Sequence, residues 1–438
     1  MWATTHTVSL HGSVGHVIDV QVDLSNGMIG SFLVGRPDTA INEARDRCRA
    51  AARNSGFEWP VTKRVTILLS PADLPKRGSH FDLAIAVGVL AAADADFPEG
   101  RLDTAAMIGE LTLDGRLRCV PGVLPMVMAA AARGIDTVYV PEPQVGEARM
   151  VDGVMVLGVR SLGQVMALLT GTVPPEAPPV EPLTSTPLLG WLDAAAGEDL
   201  DLCDVFGMRD ARYALEVAAA GGHHLMLSGP RGSGKTTLAE RLPTILPELG
   251  RHEALELTAI YSLAGALAPG DTLATRPPFR APHHSASRTA VLGGGSGRVR
   301  PGEVSKAHHG VLLLDEFPLF PVDVIDALRE PLESGLIRLS RGEEDAIFPA
   351  RAIVVFGANP CPCGEFSPNN RDHNCTCGEV ARRTYRRKVR GPILDRIDIT
   401  RHVEPIGPHE LDDTFGAPES SAAVAARVAR AREVQRDR

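Results

Sequence analysis

The sequence predicts an α/β chain of more than one domain, on three observations. Short apolar runs of strand length alternate with Ala-rich runs of helix length along most of the 438 residues, the pattern of sheets covered by helices. A glycine-rich turn, "GPRGSGKT" (Gly229 to Thr236), sits between an apolar strand, "HLMLS", and a helical stretch, "KTTLAERL". A second apolar strand, "GVLLLDEF" (Gly310 to Phe317), ends in two acids. From Asp201 onward the alternation predicts a parallel sheet with helices on both faces.

In chain order, "VTILLSPADLP" (Val65 to Pro75) reads as a strand closed by a proline turn, and "FDLAIAVGVLAAA" (Phe81 to Ala93) as a helix. "VPGVLPMVMAAAARGI" (Val120 to Ile135) is a second helix and "TVYVP" (Thr137 to Pro141) a short strand. Residues 1–170 thus form an α/β or α+β domain. "GTVPPEAPPVEPLTSTP" (Gly171 to Pro187) has six prolines in seventeen residues and almost no large apolar groups, so residues 171–200 are expected to be a semi-extended linker, the alternative being an ordered proline-rich loop packed on a domain. Residues 201–405 carry the glycine-rich turn, and 406–438 end in a helical stretch, "SSAAVAARVARAREVQRDR".

Composition sets bounds. Hydrophobic residues are 44%, charged 23% and aromatic 4%, an ordinary globular balance with cores built from Ala, Val, Leu and Ile. A net charge of −9 argues against general polyanion binding but leaves room for a local basic channel. No signal peptide or membrane-length apolar run is visible, and a reduced, cytoplasmic protein is the simplest reading. Of seven cysteines, the scattered Cys48, Cys119 and Cys203 are expected to be small buried hydrophobes.

The turn at Gly229 matches G-x-x-x-x-G-K-[ST] in its required strand–turn–helix setting. Gly229, Gly232 and Gly234 let backbone N–H groups converge on phosphate oxygens, with Pro230, Arg231, Ser233 and Thr237 completing the cradle. Lys235 is the residue to reach the β/γ-phosphates of ATP, and Thr236 to offer its hydroxyl to Mg²⁺. Asp315 is placed to hold the same Mg²⁺, and Glu316 to polarise the attacking water. A third strand, "AIVVFGANP" (Ala352 to Pro360), ends in Asn359, either a neutral holder of that water or a turn residue before proline.

These motifs together look like an AAA+ ATPase. "FRAPHHSAS", "RPGEVSKAHHGVLLLDEF", "ALREPLESG", "PARAIVVFGANPCPCG" and "GPILDRIDI" resemble the magnesium-chelatase-like AAA+ proteins of the YifB/ComM family over most of Asp201 to Glu404. The resemblance implies that Asn359 is sensor 1. It also implies that Arg396, in "LDRID", is the arginine finger that reaches a neighbouring subunit's γ-phosphate, and hence a hexamer. The alternative for Arg396 is a salt bridge with Asp395 or Asp398. Arg231 stands where the family has a second proline of the loop. The family continues into a helical lid bearing a sensor-2 arginine that has no counterpart before Arg438, so the expectation is a chain that binds ATP but turns it over poorly.

Two further regions bear on the work done. "ARRTYRRKVRG" (Ala381 to Gly391) carries six Lys/Arg and no acid; it lines a DNA channel, faces a neighbouring subunit, or is a solvated helix face. "HHSASRTAVLGGGSGRVRPGE", with Arg288, Arg298 and Arg300, and "GLIRLSRGEEDAIFPAR", with Arg338 and Arg341, read as hairpins. In related AAA+ proteins such hairpins enter the central pore, making Arg338 and Arg341 candidate sequence-independent phosphate contacts; the alternative is ordinary hairpin charge. Cys361-x-Cys363 and Cys375-x-Cys377, eleven residues apart, can make a tetrahedral Zn²⁺ site, with His373 as a substitute ligand, or remain reduced thiols in a loop.

At the N-terminus, "SPADLPKRGSHFDLAIAVGVLAA" and "GELTLDGRLRCVPGVLPMVMAA" resemble the Lon-type, ribosomal-S5-like fold over most of Val8 to Thr170. His80 stands where a Lon nucleophile would be, Ser79 is one place off, and Leu124 falls at or beside the lysine position, so the domain is expected to be non-proteolytic. The resemblance to the YifB/ComM family, which this front domain favours over the chelatase subunits, implies an ATP-driven DNA branch-migration helicase acting in recombination and natural transformation. The alternatives are a protein-remodelling or chelatase-like motor, and a nucleotide-controlled scaffold.

Overall fold

Strict alternation builds the first sheet. β1 (Trp2–His11) and β2 (Val14–Ser25) form a long hairpin, and β2 buries Ile18, Val20, Val22 and Leu24, every second residue. β4 (Arg64–Ser70) does the same with Val65, Ile67 and Leu69. With one face apolar, a strand's register is set by which residues must be dry. β3 (Gly30–Val34), β5 (Ala105–Met107), β8 (Thr137–Pro141) and β9 (Met155–Val159) complete a mixed sheet of order β3-β4-β2-β1-β5-β8-β9, with β6 (Glu110–Leu111) and β7 (Leu117–Arg118) as a separate ribbon. Helix Asp82–Ala93, apolar almost all round, is buried from Asp82 to Ala92. With helix Thr39–Asn54 it packs on the alternating side chains to make one core.

The computed structural model describes residues 1–183, 200–268, 270–295, 299–341, 344–366, 375–388, 393–405 and 418–438. It divides the chain into two units: Met1–Ser185 with Thr258–Leu273 and Ser340–Ile347, and Thr186–Leu257 with Ala274–Leu339 and Phe348–Arg438. Two short pieces of the region downstream of Asp201 therefore belong to the first unit. Ser262 donates to Glu147 there and accepts from the Gly122 amide, while the Ser13 amide donates to Ile347 O at 3.1 Å.

The proline-rich segment differs from a free linker over its described part. Gln164 Nε2 donates to Pro175 O at 3.0 Å, Arg160 Nη1 donates to Ala177 O at 3.2 Å, and Val180 is buried. Backbone carbonyls that no helix or ladder uses stay open as acceptors, so a proline-rich segment can be tied down without an apolar core of its own. Residues 184–199, Arg298 and His373, and the side chain of Arg341, lie outside the described residues.

The second unit holds a five-stranded sheet, all its neighbours parallel, of order β11-β14-β17-β10-β18. The strands are β10 (Leu225–Ser228), β11 (Phe279–Arg280), β14 (Val311–Leu314), β17 (Ile353–Ala358) and β18 (Ile399–His402). Both faces are covered. Leu225, Leu227, Val311, Leu313, Ile353 and Val355 join one core, while Met226, Leu312, Leu314, Val354 and Phe356 join the other. A strand buried on both faces has no use for alternation, which is why these segments read as continuous apolar runs. β12 (Gly293–Gly294) pairs with β13 (Arg300–Pro301), and β15 (Leu336–Arg341) with β16 (Glu344–Pro349), so both expected hairpins form. The terminal helix Ser421–Arg436 is bound into this unit: Arg427 makes a two-pronged ion pair with Glu216, and Arg432 donates twice to Ala219 O.

Of the scattered cysteines only Cys48 is fully buried; Cys119 and Cys203 are partly exposed. Among the described residues no helix is long and apolar enough to cross a membrane.

Candidate nucleotide-binding site

The ends of three parallel strands converge. β17 lies between β10 and β14 in the sheet, so Asn359 sits between the glycine turn after β10 and the acids after β14. Open α/β sheets bind ligands at this carboxyl edge.

The turn has the backbone of a phosphate cradle. Gly232 and Gly234 take φ of +71° and +81°, and a Cβ on Gly229 would lie 2.1 Å from Val403 O. Lys235 is 8% exposed and folds over the turn, donating to Gly229 O at 2.9 Å and Pro230 O at 2.7 Å. Burial lowers its pKa, while Asp315 and Glu316 oppose that shift. A cation held by carbonyls beside two carboxylates is well disposed to exchange those partners for an anion.

Thr236 Oγ1 donates to Asp315 Oδ2 at 2.8 Å. The other carboxylate oxygen accepts the Glu316 amide at 2.8 Å. Asp315 enters because position 357 is glycine: a Cβ there would lie 2.5 Å from Asp315 Oδ1. Glu316 takes φ of +49°, a strained conformation for a residue with a side chain. Its carboxylate lies 3.4 Å from His284 Nδ1 and 3.9 Å from Arg231 Nη2. Asn359 is 8% exposed, and its backbone bonds the buried hydroxyl of Tyr385, whose pKa burial pushes up to about 12.

Arg396 pairs with Glu333 rather than with Asp395 or Asp398. Asp398 is engaged elsewhere, accepting the His224 amide at 2.9 Å. A distant acid brought close by folding thus displaces the sequence neighbours. His284 and Tyr385 carry no motif of their own; the signals were the position of His284 inside "FRAPHHSAS" and of Tyr385 inside "ARRTYRRKVRG".

Cys361, Cys363, Cys375 and Cys377 bring their sulfurs within 4.8 Å of one another. The backbone amide of Glu365, foremost, pulls the Cys363 thiol down to about 6, while burial pushes Cys361 up. Glu256, His308 and His309 form a second cluster on the same scale. Its chemistry differs. His308 Nδ1 accepts the Arg351 amide at 3.0 Å, so Nε2 keeps its proton for Glu256, 3.3 Å away, and is not free to ligate.

In the first unit, the Ser79 hydroxyl donates to Glu110, and buried His80 bonds Val8 O at 2.7 Å through Nε2. Leu124 is fully buried, and the Lys76 ammonium donates to Pro71 O.

A doubly covered parallel sheet with a P-loop after one strand, an acid pair two strands away and a polar residue between them defines a P-loop nucleotide-binding protein. A family model described as "Magnesium chelatase, subunit ChlI" matches residues 201–411, and another, "Subunit ChlI of Mg-chelatase", matches residues 20–144. The chain is 46% identical to the uncharacterized protein Rv2897c of Mycobacterium tuberculosis over 99% of its own length and 82% of the relative's. It is 42% identical to YifB of Escherichia coli (98% and 81% covered). It is 40% identical to the competence protein ComM of Haemophilus influenzae (96% and 80% covered). The chain belongs to the YifB/ComM family of magnesium-chelatase-like AAA+ ATPases.

Proposed function

We propose that this protein is an ATP-driven motor working on DNA, and that it migrates branches or unwinds duplexes as a ring of identical subunits in the cytoplasm. The observation that carries the ATPase part is the Thr236–Asp315 hydrogen bond, which sets a hydroxyl and a carboxylate side by side at the mouth of the phosphate cradle. Both are hard oxygen donors of the kind Mg²⁺ prefers. When bound, Mg²⁺ would neutralise charge on the phosphate oxygens. Lys235 binds the terminal phosphates, Glu316 orients and deprotonates the attacking water, and Asn359 holds that water without adding negative charge. Arg396 exchanges Glu333 for a neighbouring subunit's γ-phosphate.

The DNA part is supported by basic surface. Helix Glu379–Arg387 exposes Arg383 and Arg387, and Arg300 is exposed on the β12–β13 hairpin. One relative is named a competence protein. The first unit serves assembly or DNA holding and not proteolysis, since Ser79 is bound to a carboxylate and no lysine of the Leu124 block is available. The four clustered cysteines hold a structural Zn²⁺.

ATP turnover with and without branched DNA tests this reading. Holliday-type or forked DNA should raise the rate, with an effect that fades as salt increases. A rate that branched DNA leaves unchanged, while Glu316→Gln abolishes it, leaves a protein-remodelling or chelatase-like ATPase. Complete absence of basal turnover favours a nucleotide-controlled scaffold.

A further inference from the structure

β17 delivers Asn359 and then runs at once into the cysteine loop, so the first thiol follows Asn359 by two positions. Four sulfurs about 2.3 Å from one zinc ion stand roughly 3.8 Å apart. Here Cys361 lies 3.3 Å from Cys363 and 3.7 Å from Cys375, and Cys363 lies 3.6 Å from Cys375. A disulfide needs about 2.05 Å, and all four are free cysteines. Backbone amides point at the sulfurs, from Glu365 to Cys363 and from Gly364 and Phe366 to Cys361. Such donors stabilise thiolate and orient it for a metal.

The same loop touches the phosphate cradle. The Arg231 amide donates to Gly364 O at 3.3 Å. Gly364 takes φ of +80°, and a Cβ there would lie 2.6 Å from Arg231 Cγ. On the far side of the cysteines, Tyr385 bonds the backbone of Asn359. Gly364, inside the thiol cluster, thus ends on the P-loop, and Tyr385, after it, ends on Asn359.

We propose that zinc on Cys361, Cys363, Cys375 and Cys377 braces the nucleotide pocket, fixing Gly364 against the P-loop amide of Arg231 and Tyr385 against Asn359. This rests on the zinc reading above and adds a purpose to it. The metal takes no part in hydrolysis; it sets the shape of the cradle before nucleotide arrives. Joining Cys361 and Cys363 to Cys375 and Cys377 supplies the rigidity, because a metal clip removes freedom that Gly364 and Tyr385 would otherwise have to lose on binding nucleotide.

The test measures zinc content by elemental analysis and ADP affinity by calorimetry on the full chain. About one zinc per chain is expected. Chelation of the wild type, or Cys375→Ser with Cys377→Ser, should weaken ADP binding by about five- to tenfold, the scale of one or two lost hydrogen bonds. Gly364→Ala should keep its zinc and lose ADP affinity to a similar extent, because the new Cβ displaces Arg231. A wild-type protein that folds without zinc, or carries iron, overturns the zinc reading. A zinc-loaded protein whose ADP affinity survives both chelation and Gly364→Ala overturns the brace and leaves the zinc standing.

Discussion

Thr236 and Asp315, 79 residues apart in sequence, meet through a 2.8 Å hydrogen bond. The contact links the helix after the P-loop to the end of β14, and it exists because Gly357 leaves room for the Asp315 carboxylate. Asp315→Asn should bind Mg²⁺-nucleotide more weakly by roughly 1.5–3 kcal/mol, or about ten- to hundredfold in Kd. Gly357→Ala should reproduce much of that loss without changing a polar group. Titrating ADP with and without Mg²⁺ checks both, and an equal loss in the absence of Mg²⁺ would sink the assignment.

Glu316 is the only acid of the site held at positive φ, with His284 and Arg231 against its carboxylate. Glu316→Gln should keep nucleotide affinity and lower turnover about 10²- to 10⁴-fold, the range of a lost general base. His284→Ala should lower kcat by roughly tenfold with KM unchanged, because its contact is with the Glu316 carboxylate. Steady-state kinetics separates the two, and a Glu316→Gln protein turning over normally would remove Glu316 from the mechanism.

Arg396 presents an ion pair with Glu333 that a trans-acting role requires it to leave. Arg396→Ala should depress turnover about 10³-fold or more, whereas Glu333→Gln, which breaks the same pair, should change it little. Mixing inactive Arg396→Ala subunits with inactive Glu316→Gln subunits should restore part of the activity, since some interfaces then pair an intact cradle with an intact arginine. A mixture that stays inactive argues against action in trans.

His308 is pushed down to about 4, chiefly by burial and then by neighbouring His309, while Glu256 works in the opposite direction. The unfolded chain, with its histidine near 6.5, binds the proton first as pH falls. The stability tied to neutral His308 is therefore complete above pH 6.5 and is lost as pH drops toward 4, by about 3 kcal/mol at most. Urea unfolding at pH 7.5 and pH 5 measures the loss. His308→Gln should be less stable at pH 7.5 but should flatten the difference between the two, and an unchanged pH slope would exclude His308 as its source.

Much of the candidate site was legible because its chemistry is local in sequence. The glycines, Lys235 and Thr236 occupy one turn, and Asp315, Glu316 and Asn359 each end an apolar run. His284, Tyr385 and Gly364 each lie in a stretch that the sequence singles out, yet were not legible as site residues, since their contacts with the site are made only by folding. Over its described part the proline-rich stretch follows the packed-loop alternative, for a related reason. Composition reports what a segment can bury, and says nothing of the carbonyl acceptors it offers to Arg160 and Gln164.

The sequence alone determined the class of the protein: two kinds of apolar periodicity, one phosphate cradle and one acid pair, all encoded within windows of about ten residues. Tertiary structure decided the pairings. It set Glu333 opposite Arg396, aimed His284 at Glu316, and closed the cysteine loop on the P-loop backbone. Long-range partners depend on which strands lie side by side, and strand order is a property of the packed sheet that no local window contains.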